Sequence, residues 1–207
     1  TATTYAGQKF DMPVLGTMAH SFVQSFPTEY EAFLAYAKTY PDNCTVLLDT
    51  YNTLKSGLVN AIRVAKEYLE PNGYRLKGVR IDSGDMAYLS KQIRKALDKA
   101  GMEDCNIVVS NSLDEHIIRD VLSQGACIDA FGVGERLITA KSEPVFGGVY
   151  KLTAVEDKVG NVIPKIKISE KLTNLPPLFL NDLRLTGRLW SCIIVYKGKR
   201  CPKITLG

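Results

Sequence analysis

The strongest constraint on the fold of this 207-residue chain is a regular alternation of short apolar runs with longer amphipathic stretches. Between residue 14 and about residue 133, each run is rich in β-branched residues and ends in a polar cluster, and a stretch with helical periodicity usually follows. Runs of this kind are typical of parallel strands buried on both faces. The five runs are residues 14–17, 46–50, 79–83, 107–111 and 128–132.

The stretches between the runs predict helices with recognisable ends. Thr28 and Glu31 form a capping-box pair, and Ser112 and Glu115 form a second pair of the same type. Asp85 is placed to cap a further helix. Strands that alternate with helices through short links predict parallel βαβ units.

Two architectures fit these units, an open doubly wound sheet and a (β/α) barrel. Every polar cluster lies at the C-terminal end of its strand, where a barrel gathers its active site from several strands. An open sheet would concentrate ligand contacts at one switch point, so we favour the barrel. With residues 148–155 as a further strand, five or six strands are predicted instead of eight, and the chain does not begin with Met. We therefore expect a partial barrel whose N-terminal part is missing.

The net charge of +4 is unevenly distributed along the chain. Residues 171–207 hold seven Lys and Arg residues against one acid, whereas the rest holds nineteen basic and twenty-one acidic residues. The body is therefore not a nucleic-acid-binding surface, and the basic tail is too short and too poor in motifs to form one. We predict a barrel portion over residues 1–170 and an atypical tail over residues 171–207, which is either a divergent extension or a non-native, wrong-frame end.

Other sequence features predict a cytoplasmic protein without a membrane segment. No apolar run approaches the roughly 18 residues that cross a bilayer, and no basic segment precedes an apolar stretch at the N-terminus. The five cysteines are odd in number and form no CxxC pair, which argues against a disulfide framework and against a zinc site.

The run GVRIDSGD at residues 78–85 carries the clearest chemistry. Side chains alternate along a strand, so Arg80 and Asp82 share the face that points into a barrel. This pair is either a structural ion pair or an anion clamp, because the Arg fork matches a carboxylate or a phosphate. The following Ser83, Gly84 and Asp85 add a hydroxyl, a flexible backbone and a second carboxylate, which suit a ribose diol or Mg²⁺ held through water.

Two further segments carry candidate functional groups. Gly132 and Gly134 follow a predicted strand, and glycines there let backbone N–H groups approach an anion closely. His20 follows another predicted strand end beside Thr17, where it could act as a nucleophile towards phosphate or as an acid/base group. The second histidine, His116, is predicted to be an exposed helical residue.

Taken together, six blocks resemble the nicotinate phosphoribosyltransferases, in family order and over about residues 10–169. The blocks are GTMAHSFV at 16–23, LLDTYNTLKSGLVNA at 47–61, GVRIDSGD at 78–85, SNSLDE at 110–115, DAFGVGERL at 129–137 and GVYKL at 148–152. The resemblance implies a barrel of the type II phosphoribosyltransferase kind and a cytosolic homodimer of NAD salvage. It also implies that nicotinate and phosphoribosyl pyrophosphate form nicotinate mononucleotide, with Mg²⁺ required and ATP hydrolysis coupled through a phosphohistidine.

The resemblance also assigns roles to residues. It implies that His20 is phosphorylated, that Thr17 and Arg80 contact nicotinate, and that the GVG segment binds the phosphoribosyl phosphate. Because an ionised acid cannot donate a hydrogen bond to phosphate, we expect that contact from the Gly134 backbone and not from the Glu135 side chain. The predicted catalytic residues are His20, Asp82 and Asp85; the remaining predicted substrate contacts are Ser83, Gly84, Asn111 and Gly132; the metal ligands are left open.

Two departures from the family keep an alternative open. The family's N-terminal domain is absent, and the family pattern fades from Lys171 onwards. The alternative to an enzyme is therefore a truncated, non-catalytic barrel fragment that only binds ligand or a partner chain. An unrelated aldolase-like barrel is disfavoured, because Lys151 is the only lysine inside a predicted strand and no lysine lies at a strand end.

Overall fold

The computed structural model describes residues 2–13, 16–139, 152, 154–157, 159–165, 195–196 and 199–200. The helices are α1 (Ala2–Phe10), α2 (His20–Gln24), α3 (Glu29–Thr39), α4 (Leu58–Val64), α5 (Met86–Lys99), α6 (Glu115–Ser123) and α7 (Glu135–Ile138). The strands are β1 (Thr45–Leu47), β2 (Gly78–Ile81), β3 (Asn106–Ser110), β4 (Ala130–Gly132), β5 (Ala154–Glu156), β6 (Val162–Pro164), β7 (Val195–Tyr196) and β8 (Lys199–Arg200). Among the described helices, none is long and apolar enough to cross a membrane.

Strands β1 to β4 form one parallel sheet in the order β1-β2-β3-β4. Each successive strand is added on the same side, which is the strand order of a (β/α) barrel and lacks the reversal of a doubly wound sheet. The α/β fold class and the partial barrel predicted from the sequence are therefore confirmed.

The core lies between this sheet and the helices that pack on it. Val46, Leu47 and Leu48 at β1 are all fully buried, so β1 is covered on both faces, as its continuous apolar run predicted. Ile93 and Leu97 of α5 are fully buried in the same core. Packing of this kind fixes the strand ends, from which the candidate functional residues extend.

Most predicted helix ends are confirmed, and one is wrong. Thr28 and Glu31 form the predicted capping box at the start of α3, and Asp85 caps α5 by accepting a hydrogen bond of 2.9 Å from the Tyr88 backbone N–H. Ser112 does not cap α6; Asp114 does, by accepting a hydrogen bond of 2.9 Å from the backbone N–H of the third helical residue. Ser112 has a positive φ of 52°, whereas a capping residue needs extended backbone.

Helix α4 begins and ends in wider, π-type turns, Thr53–Gly57 and Ala65–Leu69. At the first of these turns, a Cβ atom on Gly57 would overlap the backbone carbonyl of Leu48. Only glycine lets the start of the helix approach the end of β1 this closely. The contact holds the segment between β1 and α4 against the sheet, and that segment belongs to the site described below.

The first and last predicted strands lie partly outside the described residues, among them residues 148–151 and 153, and the described parts differ from the expectation. Residues 14 and 15 lie outside the described residues, and residues 16 and 17 form irregular backbone before α2. Of the strand predicted at 148–155, residues 154 and 155 belong to β5, which pairs antiparallel with β6. Asp157 explains that hairpin, because its carboxylate accepts hydrogen bonds from the backbone N–H groups of Val159 and Asn161, each at 2.9 Å, and closes a tight turn.

The predicted tail over residues 171–207 lies largely outside the described residues, so the boundary at residue 170 stays a prediction. Within the tail the structure describes only β7 and β8, which form an antiparallel pair. Three cysteines in the described part of the chain, Cys44, Cys105 and Cys127, are free thiols. Burial raises the pKa of the Cys44 and Cys105 thiols to about 12, which keeps them protonated and unreactive.

Candidate active site

Polar side chains from four separate segments meet at the carboxyl edge of the parallel sheet. Thr17 and His20 come from the irregular segment before α2 and from the first turn of that helix. Three strands contribute the others at or just after their last residues. These are Asp49 and Thr50 after β1, Arg80, Asp82 and Ser83 at the end of β2, and Ser110 at the end of β3.

Arg80 is the centre of a hydrogen-bond network that joins three of these segments. Its Nε donates to Ser110 Oγ at 2.9 Å, its Nη1 to Thr17 Oγ1 at 2.7 Å, and its Nη2 to Asp82 Oδ1 at 3.0 Å. An arginine carries five N–H donors in a planar fork. Two donors, one on each terminal nitrogen, therefore remain beyond these three bonds, and the side chain is 24% exposed. Arg80 is thus held in place while part of its fork faces outwards.

Asp82 is held as a carboxylate anion. Burial acts to raise its pKa, but the polar contacts with His20, Ser110 and Arg80 outweigh burial and hold the pKa well below its usual value of 3.8. Ser110 Oγ donates to Asp82 Oδ1, the same oxygen that Arg80 contacts. The other oxygen, Oδ2, faces His20 Nε2 at 3.7 Å. The site therefore keeps a negative charge beside the imidazole at neutral pH.

Asp49 was not predicted as a site residue, although it lies at the centre of the site. Its Oδ2 accepts hydrogen bonds from the Asp82 backbone N–H at 3.2 Å and from the Ser83 hydroxyl. Its Oδ1 is buried, has no hydrogen-bond partner among the described residues, and lies 3.8 Å from His20 Nε2. The signal was available, because Asp49 follows β1 just as Asp82 follows β2.

The imidazole of His20 is enclosed on both of its nitrogen atoms. Nδ1 lies 3.1 Å from Oγ1 of Thr50, a fully buried residue that was also missed from the sequence. Nε2 faces Asp49 and Asp82 and has no hydrogen-bond partner within the described part of the chain. The structure therefore brings His20 together with Asp82, another predicted site residue, and with Asp49 and Thr50, which were not predicted; the chemical role of His20 stays a prediction.

Other predicted site residues lie around the rim, outside the hydrogen-bond network that centres on Arg80. Gly84, with a positive φ of 85°, and Asp85 are exposed at the start of α5. Asn111 is exposed with a φ of 88°, and its Oδ1 accepts a hydrogen bond of 3.1 Å from the Ser112 hydroxyl. A non-glycine residue held at positive φ is strained, which is a common feature of binding loops.

The GVG segment begins in β4 at the same edge of the sheet. A Cβ atom on Gly132 would meet Ser110 Cβ at 3.2 Å, and Gly134 is the capping residue immediately before α7. Arg136, which was not predicted, donates to the Asp114 carboxylate and so links α7 to the start of α6. His116 lies on α6, exposed as predicted, with its Nε2 at 3.4 Å from the Glu115 carboxylate.

Comparison with known proteins identifies relatives of this chain. No protein-family model matches it. It is 51% identical to the nicotinate phosphoribosyltransferase of Bacillus subtilis over 178 residues, 84% of this chain and 35% of that protein. It is 42% identical to nicotinate phosphoribosyltransferase pncB2 of Mycobacterium tuberculosis over 75% of this chain and 33% of that protein, and 33% identical to the human enzyme of the same name over 80% and 39%.

Solved structures of similar proteins agree with these relatives. The human nicotinic acid phosphoribosyltransferase matches 64% of this chain and 37% of its own, with 31% identity and a TM-score of 0.59. The nicotinate phosphoribosyltransferase of Porphyromonas gingivalis matches 82% of this chain and 46% of its own with a TM-score of 0.63, and at 21% identity it supports the fold alone. The resemblance stated from the sequence is confirmed, and the chain spans about a third of the length of the curated relatives it matches.

Proposed function

We propose that this chain, a relative of the nicotinate phosphoribosyltransferases over about a third of their length, forms the base- and phosphoribosyl-binding edge of such an enzyme. The proposed reaction joins nicotinate to phosphoribosyl pyrophosphate and releases nicotinate mononucleotide and pyrophosphate for NAD synthesis. One observation carries the proposal: Arg80 is fixed by Thr17, Ser110 and Asp82 while two of its N–H groups stay unused by them. Such a fork accepts a carboxylate through two parallel hydrogen bonds.

Arg80 would also provide selectivity for nicotinate over nicotinamide. Nicotinate carries a carboxylate, which gains a charge-assisted hydrogen bond from each terminal nitrogen of the guanidinium. Nicotinamide carries a neutral amide, whose NH₂ group would meet a donor with another donor. Thr17 keeps the guanidinium in the correct plane through its hydrogen bond of 2.7 Å.

Asp82 would stabilise the transition state of phosphoribosyl transfer. Positive charge develops on the ribose as its bond to pyrophosphate breaks and before the bond to the nicotinate nitrogen forms. An anion already fixed at the edge of the site stabilises that charge without reorganisation, and the lowered pKa of Asp82 keeps its carboxylate ionised. The backbone at Gly132 and Gly134 would bind the phosphate of the same substrate through N–H groups.

The coupling of ATP hydrolysis through His20 is part of the proposal. A nitrogen lone pair of the imidazole would attack the γ-phosphorus of ATP while the bond from phosphorus to ADP oxygen breaks, and ADP would leave with the bonding electrons. Water would later cleave the phosphorus–nitrogen bond, returning His20 and releasing phosphate. The position of His20 beside Asp49, Asp82 and Thr50 supports this role.

Mg²⁺ completes the proposed reaction mixture. In the described residues no group of three or more His, Cys, Asp or Glu side chains is arranged to hold a metal ion. Mg²⁺ bound to substrate phosphates needs only one or two protein carboxylates and keeps several waters. The exposed Asp85 fits that requirement, because its backbone cap leaves the carboxylate at the solvent-facing rim. Mg²⁺ would neutralise phosphate charge there.

Kinship with the family supports a cytoplasmic homodimer as the working assembly.

The direct test is to incubate the purified chain with nicotinate, phosphoribosyl pyrophosphate, ATP and Mg²⁺ and to quantify nicotinate mononucleotide by chromatography. Circular dichroism and an R80K variant serve as controls for folding and for the site. We expect product from the wild-type chain and strongly reduced product from R80K. A folded chain that binds nicotinate but forms no product would contradict catalysis and favour the second candidate, a fragment that only binds ligand or a partner chain. The limited share of each relative that the chain spans makes this second outcome worth testing.

A further inference from the structure

Two consecutive residues after β1 enclose the imidazole of His20. Asp49 places its buried Oδ1 atom 3.8 Å from Nε2. Thr50 places Oγ1 3.1 Å from Nδ1. One short backbone segment therefore faces both ring nitrogens, and it is itself fixed by the sheet and by the close approach of Gly57.

The charged groups nearest to Nε2 are both carboxylates. Besides Asp49, the carboxylate of Asp82 lies 3.7 Å from Nε2, and its other oxygen receives Arg80. A neutral imidazole carries a proton on one nitrogen and a lone pair on the other. A lone pair on Nε2 would face carboxylate oxygens that also carry lone pairs, whereas an N–H at Nε2 would face acceptors. The surroundings therefore favour the tautomer that is protonated on Nε2.

In that tautomer the lone pair is on Nδ1. Because the ring is mostly buried, water cannot easily reach this lone pair, and a protein group has to donate a hydrogen bond to it. His20 has a side-chain exposure of 19%, and Thr50 is fully buried. A buried acceptor left without a partner loses its hydrogen bonds to water and gains none in return, which destabilises that arrangement. The Thr50 hydroxyl lies at hydrogen-bond distance and can rotate to donate. The carboxylates that face Nε2 and the hydroxyl that faces Nδ1 therefore favour the same tautomer and the same ring orientation.

We propose that Thr50 is a positioning residue that donates a hydrogen bond to His20 Nδ1 and thereby fixes the Nε2-protonated tautomer and the ring orientation of His20. The tautomer decides which nitrogen has the lone pair and which presents a proton, so it controls how the imidazole reacts. The structural part of this inference stands on geometry alone, and its catalytic consequence rests on the proposed function. A purely structural role for Thr50 would fill space without influencing the ring nitrogens.

Nitrogen-15 NMR of the imidazole rings tests the inference directly. The chain contains only two histidines, and an H116Q variant assigns the signals because His116 is exposed on α6. The spectra are recorded on the full chain, at a pH at which the His20 signal no longer moves with further base. The variant T50V keeps the β-branched shape and removes the hydroxyl, while T50S keeps the hydroxyl and removes the methyl group.

We expect the wild-type spectrum to show the His20 proton on Nε2 and a hydrogen-bonded, unprotonated Nδ1. In T50V, the Nδ1 signal should move to the position of a nitrogen without a hydrogen-bond donor, and T50S should restore the wild-type position. A proton found on Nδ1 of the wild-type chain would overturn the proposal, as would an Nδ1 signal that is the same in T50V. If T50V does not fold, the wild-type spectrum and a T50A variant, which also removes the hydroxyl, decide by the same criteria.

Kinetics test the catalytic consequence separately. Attack on the γ-phosphorus of ATP needs a free ring lone pair, so the Nε2 proton would pass to the facing carboxylate of Asp49 as the bond from Nε2 to phosphorus forms, while Thr50 keeps its hydrogen bond to Nδ1. In the ATP-coupled reaction we therefore expect T50V to lower kcat about tenfold, the typical effect of losing one hydrogen bond, with KM for nicotinate unchanged and T50S close to wild type. Unchanged kcat in T50V would overturn the catalytic consequence. A wild-type chain without any turnover would contradict the proposed function instead, and the NMR result on Thr50 would still stand.

Discussion

Arg80 Nη1 donates a hydrogen bond of 2.7 Å to Thr17 Oγ1, across a separation of 63 residues in the sequence. Two segments that resemble separate blocks of the family are thereby joined in one site. The bond also fixes the plane of the guanidinium, because Arg80 is held from a second direction by Ser110. The proposed selectivity for a carboxylate ligand would depend on that plane.

Replacing Arg80 with lysine is expected to weaken nicotinate binding about tenfold to a hundredfold. An ammonium group cannot reproduce the planar fork or keep three partners in place at once. Calorimetric titration with nicotinate and with nicotinamide measures the effect, and nicotinamide affinity should change little. R119K is a matched control, because Arg119 is exposed on α6. Equal losses for the two ligands would contradict a carboxylate-specific role for Arg80.

Asp85 has two roles to separate, the cap of α5 and the proposed support of Mg²⁺. The variant D85N keeps a good capping group but loses the charge, whereas D85A loses both. We expect D85N to change the free energy of unfolding by less than about 0.5 kcal/mol and D85A to lower it by about 1 kcal/mol. Both variants should raise the Mg²⁺ concentration needed for half-maximal activity. An unchanged Mg²⁺ dependence in D85N would show that Asp85 caps α5 and does not support Mg²⁺.

Because of Glu29, the free energy of unfolding of the chain is expected to depend on pH. Burial raises the pKa of this carboxyl above its usual 4.5, against the opposing effect of hydrogen bonds from Ser56 and Asn60. A raised folded-state pKa gives stability that is fully present below about 4.5 and is lost as the pH rises through the folded pKa. E29Q cannot ionise and should escape this loss.

Urea unfolding of the wild-type chain and of E29Q measures the difference in their free energies of unfolding. The measurements run from about pH 4 to about pH 8, which is roughly the range over which a carboxyl with a raised pKa titrates. The stability of E29Q relative to wild type should increase with pH by at most about 1.4 kcal/mol per pH unit. Glu103, an exposed residue, supplies the matched control E103Q. A difference that stays constant with pH would show that Glu29 titrates as it does in the unfolded chain.

Replacing Gly57 with alanine is expected to destabilise the fold by more than about 3 kcal/mol. The new methyl group would overlap the Leu48 carbonyl, and backbone on both sides is packed too closely to move cheaply. Thermal unfolding followed by circular dichroism checks this expectation. V59A, an exposed position on the same helix α4, should cost less than about 1 kcal/mol. A G57A chain as stable as V59A would contradict the close approach of α4 to β1.

The helix ends show how far local reasoning extends. The Thr28 capping box and the Asp85 cap were predicted correctly, because a cap depends on residues three or four positions apart. The cap of α6 was assigned to Ser112 in place of Asp114. Nothing in the local sequence indicated that the chain leaves β3 with two consecutive residues, Asn111 and Ser112, at positive φ.

The sequence by itself determined four of the strand-forming runs, those that overlap β1 to β4, and the alternation that places Arg80 and Asp82 on one face, because a strand's side-chain period follows from covalent geometry. It also determined the kinship with the phosphoribosyltransferases. Only the tertiary structure decided that Asp49 and Thr50 enclose His20 and that Thr17 reaches Arg80. Contacts between residues 30 or 63 positions apart depend on strand order, register and packing. These arise when the whole sheet forms, and no local pattern encodes them.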